Sequence, residues 1–187
     1  MADRTGEEAS AGDLWQGLKI RMDDRQAMYR RSWLRAPLGE PAHQPGGKEL
    51  ASDLDLACRL YLQGEEALRR EIRRSFNEWT SVRGHVLTKA WSFADKLADT
   101  CDDRWLRLGL AAVSIDDNGT DFRDSYVALG DLYIGAVRCG MDPRPYFDEA
   151  AEIYSGVSNI EGTSMRDFLL RFEGSAYFGE AVAPKLR

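Results

Sequence analysis

The stretch DFRDSYVALGDLYIGAVRCGMDPRPYFDEAAEIY, Asp121 to Tyr154, decides the fold. Phe122, Tyr126, Leu129, Tyr133 and Val137 recur at spacings of four, three, four and four. That period lines them along one face of a helix. Asp121 and Asp124 fall in its first turn, where carboxylates meet the positive end of the helix dipole. Cys139-Gly140 ends it, because Gly adopts the left-handed conformation after a helix C-terminus at little cost. Asp142-Pro143 restarts the pattern, with Asp able to cap free N–H groups and Pro tolerated at a first helical position. Phe147, Ala150, Ala151 and Tyr154 supply the second apolar face. The expectation is a helical hairpin.

Tyr126, Leu129, Gly130 and Tyr133 match the aromatic-x2-L-G-x2-Y spacing of a tetratricopeptide repeat's first helix, and Phe147 with Ala150 resemble its second. The resemblance covers one unit, and it implies a helical hairpin that presents a surface to other proteins. Pro143 or Asp142 stands where that family has Ala.

Outward from this hairpin the same period dominates. Trp105 to Ile115, WLRLGLAAVSI, is apolar around most of its circumference, so it belongs in the middle of a bundle, with Gly109, Ala111 and Ala112 allowing close neighbours. Val82, Val86, Ala90, Ala94 and Leu97 define a helix from about Ser81 to Asp99. Lys48 to Trp79 is helical with a break at Gln63-Gly64, and its Glu65/Arg69 and Glu66/Arg70 pairs stand in the favourable i,i+4 order. Leu14/Trp15, Leu18, Met22, Tyr29 and Trp33 mark a first helix that Asp13 is placed to cap. After Ser164, Met165, Phe168, Leu169, Phe172 and Ala176 give a last amphipathic face, with Ser164 placed to cap it. No segment alternates at period two, so the reading is all-α: a single-domain bundle of about seven helices built from antiparallel hairpins. Residues 1–12 read as a flexible tail and 13–187 as the domain, with a loop at 36–47 that holds three Pro and three Gly.

Composition narrows the function classes. The chain has 187 residues, 43% of them hydrophobic and 30% charged, which suits one globular core. A net charge of −6 argues against general nucleic-acid binding. No run approaches the roughly 18 apolar residues of a membrane span, and the acidic N-terminus lacks a secretory pattern. Cys58, Cys101 and Cys139 lie far apart without a CxxC, so buried free thiols and a cytoplasmic location are expected.

Charge is unevenly distributed. The first helix carries Lys19, Arg21, Arg25, Arg30, Arg31 and Arg35 against Asp23 and Asp24, six minus two, or +4. Asp99 to Asp124 holds seven Asp against Arg104, Arg107 and Arg123, or −4. The two regions could attract, within one chain or between chains.

Chemistry has few footholds. Gly46-Gly47-Lys48 is followed by Glu49, not the Ser or Thr of a phosphate loop. His85 has no nucleophile in a recognisable motif beside it. Asp116, Asp117 and Asp121 fit a DDxxxD pattern that could hold magnesium or manganese and act on a phosphorylated substrate; as an EF-hand the same turn fails, with Ser at its first and twelfth positions. The leading expectation is a non-catalytic, cofactor-free protein–protein interaction module, an adaptor, scaffold or inhibitor-like protein. It would bind another protein, or itself, through Tyr126, Tyr133, Arg123, Arg30, Arg31 and Trp33.

Overall fold

A computed structural model describes residues 9–39, 46–116 and 122–153, the side chains of 122–124 and 153 excepted. These residues form seven α-helices and no strand: α1 (Ala11–Arg35), α2 (Gly47–Gln63), α3 (Glu66–Glu78), α4 (Arg83–Thr100), α5 (Asp103–Ile115), α6 (Phe122–Arg138) and α7 (Arg144–Ile153). A 3-10 turn, Ala36–Leu38, prolongs α1. The fold is an all-α bundle. The expected tail up to residue 8, most of the Pro/Gly loop, Asp117 to Asp121 and the helix expected after Ser164 lie outside the described residues.

The helix ends follow local chemistry. Ser10, not Asp13, caps α1: the Asp13 N–H donates to Ser10 Oγ at 3.2 Å while the Asp13 carboxylate accepts from Ser10 N–H at 3.3 Å. This reciprocal pair satisfies two helix-start N–H groups, so Asp13 serves as the third residue of a capping box. Gly140, at φ +76°, ends α6 in the left-handed conformation expected of it. Asp142 Oδ1 then accepts from the Arg144 N–H at 3.1 Å and starts α7.

Helix α5 is the axis. Leu108 through Ile115 are buried without exception, and α5 packs on α2, α3, α4, α6 and α7. Gly109 allows a close approach, and Leu132 of α6 lies against it. Tyr133 of α6 and Phe147 of α7 meet edge to face at 5.8 Å, but α7 leans chiefly on α5. There the Tyr146 hydroxyl donates to Asp103 Oδ2 at 3.0 Å and Arg107 pairs with Glu149.

Two cysteines overturn the expectation of free thiols. Cys101 caps the end of α4 and Cys139 follows α6; their Cα atoms are 5.3 Å apart and the sulfurs are bonded. Chain reversal between α4 and α5, then between α5 and α6, brings the ends of α4 and α6 together across 38 residues. Only Cys58 is free. It is fully buried, and that burial, with the Asp55 carboxylate adding to it, pushes its thiol up to about 12.

Candidate interaction site

The first helix buries residues only along its first half. Trp15, Leu18, Met22 and Gln26 are its buried residues, a stripe of one helical face. Trp15 packs on Trp79 with ring centroids 5.9 Å apart. Asp23 accepts from Trp79 Nε1 at 2.7 Å and from Lys19 at 2.6 Å; burial opposes its ionisation, but these bonds outweigh it and hold the carboxyl below its usual range.

Polar groups add a second attachment. Arg21 donates through Nε and Nη2 to Asp53 Oδ1 at 3.1 and 2.8 Å, and Arg25 Nη1 pairs with Asp53 Oδ2. Asp53 is buried. Desolvation favours its neutral form, yet hydrogen bonds from Arg21 and Arg25 prevail and lower its pKa. Gln26, also buried, donates to Thr80 Oγ1 at 3.1 Å and accepts from Ser81 N–H and Oγ at 3.0 and 2.7 Å. The basic face of α1 thus docks within the chain through Arg21 and Arg25, onto α2 and not onto the acidic region around α5.

Beyond Gln26 no residue of α1 is buried. Residues 27–38, here called the arm, are half-buried or exposed, and their nine α-helical residues span about 13 Å. Tyr29 and Trp33 continue the core-facing stripe and pack on each other at 6.0 Å, but Trp33 remains 57% exposed. Met28 is 47% exposed, and Leu34 and Leu38 are each 79% exposed. Arg30, Arg31 and Arg35 are exposed among them. These exposed large apolar side chains are the candidate interaction surface.

The expected partner-binding residues therefore separate. Arg30, Arg31 and Trp33 come together on the arm. Tyr133 is buried against Phe147, and Tyr126 is half-buried against the core. The Arg123 side chain lies outside the described residues. Leu34 and Leu38 belong to the arm but escaped the sequence reading, which followed the four-residue stripe and not the apolar residues beside it.

Of the metal candidates, Asp116 is buried at the end of α5, with its N–H on the Ala112 carbonyl at 3.3 Å. Asp117 and Asp121 lie outside the described residues. Among those described, no group of three or more His, Cys, Asp or Glu is placed to hold a metal ion. His85 is exposed at the start of α4, where it lines a cleft with Leu50 and Leu54. No described helix is long and apolar enough to cross a membrane.

The fold and the arm define a helical bundle with an exposed, Arg-flanked apolar end on its first helix. No known protein family, curated protein or solved structure matches the chain.

Proposed function

We propose that this chain is a non-catalytic helical interaction module, an adaptor, scaffold or inhibitor-like protein, that binds another protein through the arm of α1. The observation that carries the reading is the exposure of Trp33, Leu34 and Leu38 beside Arg30 and Arg31 on a helix whose first half is firmly anchored. Trp and Arg are the residue types that most often dominate binding energy. A rigid attachment lowers the entropy lost on association. Self-association through the same arm is the second partner this reading allows. The metal-dependent alternative rests on Asp116, Asp117 and Asp121, of which only Asp116 is among the described residues.

The test is photo-crosslinking in cells with p-benzoylphenylalanine at position 34. Expected is a discrete cross-linked protein band that disappears when Trp33→Ala is added. Absence of any protein adduct at positions 28, 33, 34 and 38 defeats the reading. A cytoplasmic location is also part of the proposal; the free thiols that suggested it are overturned by the Cys101–Cys139 bond, and that pair tests it. Cytosolic thiol systems keep such pairs largely reduced, so alkylation at lysis should trap both thiols; recovery of the intact disulfide rejects that location.

A further inference from the structure

We infer that the arm of α1 is an inserting helix whose partner offers an apolar groove rimmed by carboxylates. This rests on the interaction reading above and adds the chemistry of the partner. At about 100° per residue, Met28, Trp33 and Leu34 stand at gaps of roughly 140°, 100° and 120° around the helix. Apolar side chains so evenly spread cannot all lie in one plane. A bilayer surface takes a helix with a single apolar face, whereas a groove encloses a helix from several sides.

Charge selects the rim. Arg30 and Arg31 are exposed between the apolar positions, so the complementary groove carries Asp or Glu at its edges. A second copy of this chain fits poorly. Arm against arm sets these arginines against their own kind. Two clefts lack an acidic rim among their described lining residues: one of about 370 Å³ between α2 and α4 has Lys89 and no Asp or Glu, and one of about 420 Å³ on α3 sets Arg70 and Arg74 beside Glu71. Lys89 is already paired with Asp55.

Calcium-loaded calmodulin is a suitable purified probe, because its Met-lined groove is permissive toward helices of varied sequence. The full chain is titrated against it, in parallel with vesicles containing phosphatidylserine and with sedimentation of the chain alone. Expected is micromolar binding to the probe, weakened at least ten-fold by Trp33→Ala and by the pair Arg30→Glu and Arg31→Glu, with the helical circular dichroism unchanged. No binding overturns the inference, as does binding insensitive to these substitutions, a preference for vesicles, or self-association that the same substitutions abolish. If the cellular cross-link at position 34 persists while the probe fails, the interaction reading stands and only the acidic groove falls.

Discussion

Leu132 of α6 occupies the space that a side chain on Gly109 of α5 would need. A β-carbon there would stand 2.4 Å from Leu132 Cδ2 and 2.8 Å from Cδ1. Leu132 is fully buried, so its methyl groups have nowhere to retreat. In a solvent-facing helix Gly→Ala stabilises by about 1 kcal/mol; here overpacking opposes that gain. Gly109→Ala is expected to destabilise the fold by about 1–3 kcal/mol, read as a lower urea midpoint with an unchanged slope.

Asp53 joins α1 to α2 through two arginines, and its removal leaves Arg25 poorly compensated. Asp53→Asn is expected to cost about 2–3 kcal/mol, below the range for a fully buried pair because Arg21 is half exposed. The folded pKa of Asp53 is lowered. Its stabilisation is therefore complete above the unfolded carboxylate value of about 3.9 and is lost as pH falls through the folded value beneath it. The wild-type advantage over Asp53→Asn should be constant from pH 7 to about 5 and shrink below about 4, measured by denaturant titration at each pH.

Gln26 is the last fixed point before the arm. Gln26→Ala strands the Ser81 N–H and hydroxyl in a buried site, at a cost of about 1–3 kcal/mol. Amide exchange should quicken through residues 22–35 while α5 keeps its protection, which hydrogen-exchange mass spectrometry resolves.

Trp33 and Leu18 lie on the same helix and should respond oppositely to truncation. Trp33→Ala is expected to change stability by no more than about 0.5 kcal/mol, whereas Leu18→Ala, at a fully buried position, should cost about 2–5 kcal/mol. Equal losses by thermal denaturation would place Trp33 in a packed environment and remove it from the binding surface.

The cysteines give a counting experiment. With Cys101 and Cys139 bonded and Cys58 buried, the oxidised native chain should react with no equivalent of a thiol reagent. Unfolding without reductant should expose one thiol, and reduction all three. Closing a loop across 38 residues stabilises by up to about 4 kcal/mol in the chain-entropy picture, so dithiothreitol should lower the denaturation midpoint.

Periodicity made the helices legible, because each buried stripe repeats at a spacing that only one backbone geometry aligns. Gly140 and Gly64 were readable as stops, Gly140 through its left-handed backbone and Gly64 in an extended one where a β-carbon would meet the Leu60 carbonyl oxygen at 2.6 Å. The disulfide was not readable: Cys101 and Cys139 meet only once α4 and α6 lie side by side, and nothing in their spacing announces that alignment. Ser10 was passed over for Asp13, since a capping box puts two suitable residues three apart and the pattern does not say which comes first. Half of the candidate site was equally hidden. Whether Trp33 or Tyr133 faces outward depends on where neighbouring helices stop, and both sit on well-formed apolar stripes. Arg21 and Arg31 look alike in the sequence, yet only Arg21 finds Asp53.

The bond between Cys101 and Cys139 also changes what a cut in the backbone means. It closes a covalent circuit that runs through all of α5 and α6. A single proteolytic nick anywhere in residues 102–138 therefore releases no fragment: the pieces migrate together under non-reducing conditions and separate only when the sulfurs are reduced. The central helix can be severed from its neighbour along the chain and still remain tethered to it.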